Sequence, residues 1–202
     1  MKEKPILFSG PMVRAILDGR KTQTRRIVKP QPVMFHPQVI AGRLIDEEQD
    51  IMPCPYGQPG DRLWLREAWR VAACYDQHPG SWLAGKLTSR NVQYEAGGDT
   101  FLHGPALGRY RHGRFMPRWA SRITLEITDV RVERLQDISE EDSWAEGIHD
   151  LAADNEQWDG DPDQGRKTFC LLWQSINGKD SWEQNPWVWV VSFRKLPTKG
   201  ES

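Results

Sequence analysis

The sequence predicts an α+β fold: one domain over residues 1–202, a small curved or barrel-like sheet flanked by helices, with two long insertions at about 30–60 and 71–117. Three observations predict it. Apolar residues alternate with period two in a few well-separated segments, whereas a 3.6-residue period recurs only near residues 12–17 and 169–176. Between them lie long Pro-, Gly- and polar-rich stretches that have neither period.

Taken in order, Pro5–Phe8 reads as a short strand. Ser9 then caps a helix with Met12, Val13, Ile16 and Leu17 on one face, and Gly19 ends it. Residues 30–60 read as an irregular excursion. Gly60-Asp61 is a turn into a strand over Arg62–Trp69, and 71–117 holds one further strand near Asn91–Tyr94. Ile123, Leu125 and Ile127 alternate in one phase and Val130 and Val132 in the other, so a bulge is expected at Thr128-Asp129. Ser139 and Asp142 form a capping box for an acidic helix that Gly147 stops. Asp150–Gly165 reads as a polar loop. Phe169, Leu172, Trp173 and Ile176 mark an amphipathic helix ended by Asn177-Gly178, and Trp187–Arg194 is a closing strand. Phe8, Leu17, Leu63, Leu65, Ile123, Leu125, Val190 and Phe193 are expected to share one core.

Composition excludes several classes. No apolar run of about 18 residues occurs and Met1–Pro5 carries no apolar leader, so no membrane partner and a cytoplasmic location are expected. Cys54, Cys74 and Cys170 are odd in number and widely spaced, which suggests buried thiols rather than disulfides or a zinc knuckle. No metal or cofactor site is expected: the acidic stretch around Asp159, Asp161 and Asp163 lacks the Gly and closing Glu of a calcium loop. His36, His78, His103, His112 and His149 sit in polar contexts, with no Gly-x-Ser-x-Gly elbow to serve.

The net charge is only −1, but it is segregated. Arg14–Lys29 holds six basic residues and one acid, Arg109–Arg122 five arginines and no acid, and Leu135–Gly165 no Lys or Arg. Such segregation either creates a positive face for phosphate or lets the arginines pair with the acidic run. Gly19-Arg20-Lys21-Thr22-Gln23-Thr24-Arg25-Arg26 follows a helix stop, a place suited to phosphate contacts, although it lacks the spacing of a P-loop. Trp64 and Trp69 flank Arg66-Glu67, and Trp119 follows Arg118. Indole beside guanidinium suits base stacking, while core packing accounts for most of the ten tryptophans.

The segment from Ile16 to Arg26 resembles the opening motif of ASCH-domain proteins. Gly60–Glu67, Ile127–Gly147 and Trp187–Arg194 are similar, in the same order, to the later blocks of that family. With its Met116–Arg122 stretch, the chain looks like the longer ASCH proteins of phages and prophages. The resemblance implies a PUA-like pseudo-barrel whose cleft faces a modified nucleoside or single-stranded RNA. A small bacterial member is an amidohydrolase acting on N4-acetylcytidine through a Lys, a Thr and a Glu. Matching its motif places these at Lys21, Thr24 and Glu146. In that scheme a Lys made less basic by neighbouring cations deprotonates Thr24, which attacks the amide, and a Glu kept protonated by burial donates to the leaving amine. It requires a bend, because on a flat strand Lys21 and Thr24 would face opposite ways. Arg25, Arg26, Arg66, Glu67, Trp69, Trp119 and Arg122 are the candidate substrate-binding residues, and the same set would serve a binding-only reader of RNA or a modified base. Lys21, Arg26, Arg66 and Glu146 are expected on one concave surface.

Overall fold

The computed structural model describes residues 1–32, 38–40, 43–45, 51–97, 106–154 and 160–197. Its elements in chain order are β1 (Glu3–Leu7), α1 (Gly10–Leu17), β2 (Gln23–Ile27), β3 (Gln38–Ile40), β4 (Arg43–Ile45) and β5 (Ile51–Pro53). There follow β6 (Arg62–Arg66), β7 (Trp69–Arg70), α2 (Gly80–Leu83), β8 (Gln93–Tyr94), β9 (Thr124–Arg134), α3 (Glu140–Ala145), α4 (His149–Ala153), α5 (Gln164–Asn177) and β10 (Trp187–Lys195). The fold is mixed α+β. Five strands form the main sheet in the order β1-β6-β9-β10-β2, with β1 parallel to β6 and the other pairs antiparallel. This sheet is open rather than a closed barrel, with β1 and β2 as its edges. Arg26 on β2 donates to the Leu7 carbonyl on β1 at 3.0 Å, so a side chain links the two edges.

The closing strand explains why its sequence, Trp187-Val188-Trp189-Val190-Val191, is apolar without a break. Trp189, Val191 and Phe193 join the larger core with Phe8, Leu63 and Leu125, while Val188 and Val190 face Phe169 and Trp173 of α5. Both faces of the strand are covered, so alternation of polarity is lost. Val190 therefore lies across the sheet from Phe193 and not in one core with it, as the period of two requires. The bulge expected in β9 is present: Ser192 pairs with Asp129 and Phe193 with Ile127, which leaves Thr128 as the extra residue.

Several elements depart from expectation. The strand from Arg62 stops at Arg66, and Trp69 belongs to a separate β7–β8 ribbon. That ribbon organises its own cluster of Trp69, Val71, Leu83, Val92, Tyr94 and Met116, so the second insertion carries a small core. In the first insertion β3, β4 and β5 form an antiparallel sheet, with Leu44 and Met52 packed on the main core. Ser9 takes the N-cap position of α1 without a side-chain bond, whereas the Ser139 hydroxyl does accept from the Asp142 N–H at 3.0 Å. The stretch read as a polar loop contains α4 and the start of α5. Glu140 supplies the cap there, accepting from the N–H groups of Gly165 (2.6 Å) and Arg166 (2.9 Å). Of the three thiols only Cys54 is buried; Cys74 is exposed and Cys170 half-buried, and all are free. Among the described residues no helix is long and apolar enough to cross a membrane. His36, His103 and Asp159 lie outside the described residues.

Leu125, fully buried in the middle of the sheet, tests this packing. Leu125→Ala is expected to lower unfolding free energy by about 2–5 kcal/mol in urea titration, in one transition common to fluorescence and circular dichroism.

Candidate functional site

The site grows out of the way α1 hands the chain to β2. Gly19 adopts φ +75°, and the Lys21 N–H then donates back to the Ala15 carbonyl at 2.9 Å. The next N–H, of Thr22, donates to Ala145 at the end of α3 at 3.0 Å, and Lys21 forms an isolated antiparallel bridge with Glu146. Strand β2 begins only at Gln23. Lys21 and Thr24 therefore do not lie on one flat strand, and both line the same cavity. Gly147 permits the close approach of α3: its φ is +77°, and a Cβ there would sit 2.6 Å from that of Lys21.

Lys21 and Glu146 are both buried. Lys21 Nζ donates to Glu146 Oε2 and to the Glu146 carbonyl, each at 2.7 Å. The other carboxylate oxygen, Oε1, accepts from Arg25 Nη1 at 3.3 Å. Burial pushes the Lys21 ammonium below its ordinary value of 10.5; Glu146 opposes this, and Arg26 and Arg25 add to it. Desolvation, rather than neighbouring cations, is thus the main reason that Lys21 is less basic. Glu146 accepts on both oxygens, so it orients Lys21 instead of offering a proton to a leaving group as the sequence scheme required.

Arg25 was expected to bind substrate, but its side chain is wholly withdrawn from solvent. Its guanidinium donates to Glu133 Oε1 (2.9 and 2.6 Å), Asp142 Oδ2 (2.9 Å), Gln23 Oε1 (2.9 Å) and Glu146. Arg131 closes the cluster on Glu133 and Asp142. Three carboxylates thus meet Lys21, Arg25 and Arg131, which is where part of the acidic run and part of the basic run find each other. Arg25 is consequently a positioning residue.

The cavity beside this cluster measures about 330 Å³ and is also lined by Phe8, Tyr56, Phe169 and Trp173. Arg26 lies over the Phe8 ring, 5.3 Å from its centroid, at the boundary with a second cleft of about 720 Å³ that contains Arg66. Phe8, Met12, Tyr56 and Ile176 line both. Lys21, Thr24, Arg26 and Glu146 accordingly share one hollow, with Arg66 in its extension.

The remaining candidates are elsewhere. Glu67 and Arg122 form a two-pronged ion pair (2.9 and 3.0 Å), and Arg122 covers Tyr94. Trp69 is buried edge-on against Trp119, whose Nε1 donates to the Gly80 carbonyl. None of the four lines either hollow. The physical reason is that the chain leaves the main sheet after Arg66, so Trp69 and Trp119 are built into the second cluster, with the Glu67–Arg122 pair over Tyr94 beside it. Conversely, Tyr56, Phe169 and Trp173 were not anticipated at the site. Ile176, 65% exposed on the same helix face, was the available signal, since a core helix has no reason to extend its apolar stripe into solvent. Among the described residues, no cluster of His, Cys, Asp and Glu could hold a metal ion.

Comparison with family profiles, with curated proteins and with solved structures finds no match to this chain.

Replacing the buried guanidinium should expose what it holds together. Arg25→Leu leaves Glu133, Asp142 and Glu146 short of a partner, and a loss of about 3–5 kcal/mol in unfolding free energy is expected from chemical denaturation. Arg25→Lys, which keeps the charge without the fork, should recover only part of it.

Proposed function

We propose that the chain is a PUA-like protein of the ASCH type that binds a modified pyrimidine nucleoside and hydrolyses an amide on it, N4-acetylcytidine being the model substrate. The observation that carries this reading is the meeting of a desolvated lysine, a buried carboxylate and a strand threonine on one aromatic-walled cavity. Thr24, almost wholly buried, lines that cavity beside Lys21 and Glu146.

The chemistry follows from these groups. Neutral Lys21 takes the Thr24 hydroxyl proton as the oxygen attacks the amide carbonyl, and the Lys21 ammonium returns that proton to the departing exocyclic amine as the C–N bond breaks. Water, deprotonated in turn by Lys21, then attacks the acyl carbon, and the Lys21 ammonium returns that proton to the Thr24 oxygen as the C–O bond breaks and the acyl group leaves as a carboxylic acid. Glu146 holds the lysine through both cycles. Phe8 and Tyr56 give the cavity an aromatic wall suited to a pyrimidine, and Arg26 offers a cation at the rim.

The decisive experiment follows deacetylation of N4-acetylcytidine together with its binding. Thr24→Ala should abolish turnover while leaving affinity within about tenfold, because the hydroxyl acts mainly in the transition state. Binding of nucleosides or RNA without turnover of any acylated nucleoside would instead identify a reader. For the wild type, kcat/KM should rise with pH as Lys21 loses its proton. The midpoint should fall below the ordinary lysine value of 10.5, and Lys21→Met should remove both the limb and the activity.

A further inference from the structure

The larger cleft next to the catalytic cavity has a lining unlike the rest of the protein. Among the described residues its wall includes Arg26, Arg66 and His112 but no Asp or Glu. Several other guanidinium groups meet a carboxylate, among them Arg25, Arg70, Arg118, Arg122 and Arg131, while Arg134 rests on the Trp187 ring and donates to the Asn185 carbonyl. Arg26 and Arg66 have no ion pair among the described residues. They are held by ring faces and backbone carbonyls instead. Arg66 lies 4.7 Å from the Trp64 ring centroid and donates to the Arg114 carbonyl at 3.3 Å, while Arg26 rests on Phe8 and donates to Leu7. The Nε–H of Arg66 is buried without a partner.

Uncharged polar groups lie in the same cleft. His112 Nδ1 accepts from the Arg114 N–H at 3.0 Å, which makes Nε2 the nitrogen that carries its proton. Ser9 and Gly10, at the uncapped start of α1, also line the cleft. Preoriented donors without a counter-charge are what an anion needs, and paired N–H forks suit phosphate oxygens. Arg26, Phe8 and Tyr56 line both hollows, so the cavity and the cleft adjoin.

We propose that this cleft binds the phosphate of a nucleotide whose base sits in the Lys21–Glu146 cavity, so that the preferred ligand is a nucleotide rather than a free nucleoside. The inference rests on the nucleoside-binding reading above and adds the phosphate to it. The cleft's breadth admits either a terminal phosphate or the phosphodiester of a short strand.

Calorimetric titration of the wild-type protein with cytidine, cytidine 5′-monophosphate, the dinucleotide CpC and inorganic phosphate tests it. None of these is turned over. At least one phosphorylated ligand should bind tenfold or more tightly than cytidine, with an advantage that shrinks as salt is raised. A preference for the monophosphate identifies a terminal phosphate, and one for CpC a phosphodiester. Inorganic phosphate should weaken nucleotide binding more than cytidine binding. Arg66→Gln should bring the nucleotide-to-nucleoside affinity ratio to within about twofold of one, with Arg66→Lys intermediate. If cytidine binds and neither phosphorylated ligand binds better, the phosphate site is wrong and the nucleoside reading stands. If no ligand binds, both are wrong. Retention of the full ratio in Arg66→Gln also overturns the assignment.

Discussion

A guanidinium with no access to water can persist only where carboxylates and carbonyls replace its hydration in the right directions. Arg25 meets that demand through Glu133 on β9, Asp142 on α3 and Glu146 just beyond it. The constraint is mutual, because each of these acids would be costly to bury alone. One planar group consequently fixes how an edge strand, a central strand and a short helix lie together. Lys21 inherits its position from that arrangement, since Glu146 can grip its ammonium only when α3 is held against β2. The catalytic reading therefore depends on a residue that need not touch the substrate.

The same arrangement sorts the arginines by role. Those engaged by carboxylates serve the fold, as Arg122 does for Glu67 in the second cluster. Arg26 and Arg66, supported at the cleft by ring faces and main-chain carbonyls, have no ion pair among the described residues. Net charge near zero conceals this division, because Coulomb attraction of a small anion responds to the local balance and not to the sum. Lys21 belongs to neither group. Held by a carboxylate yet weakened as a cation by burial, it combines fixed geometry with the capacity to give up a proton.

Much of the scaffold was legible in the sequence because local physics dictates it. Gly19, Gly147 and Gly178 mark helix ends where positive φ is required, and the phase change across Thr128 records the bulge. The meeting of Lys21, Thr24 and Glu146 was legible only through resemblance to a family, since no local pattern relates positions 21 and 146. What sequence could not convey was burial of charge. Arg25 sits in a cationic run that reads as surface, and only the acids brought from 108 to 121 residues away make its interior position tolerable. Trp69 and Trp119 misled for the converse reason: neighbouring charges suggested a stacking platform, yet those charges are directed away and the indoles pack on each other. Tyr56, Phe169 and Trp173 reach the cavity from an insertion and a distant helix, a convergence that only tertiary structure creates.

The position of β10 has a consequence for how the molecule comes into being on the ribosome. Although it comes after the other described strands in the chain, it lies between β9 and β2 and among the described strands is the only partner of β2 in the main sheet. Until it emerges, β2 has no ladder to join, and its Gln23–Ile27 backbone must wait in solvent while more than 150 residues are added. Nascent chains should therefore acquire the β1–β6–β9 half first, and the Lys21–Glu146 cavity last of all. A messenger truncated just before β10 would yield a product with most of the residues and no ladder for β2 to join.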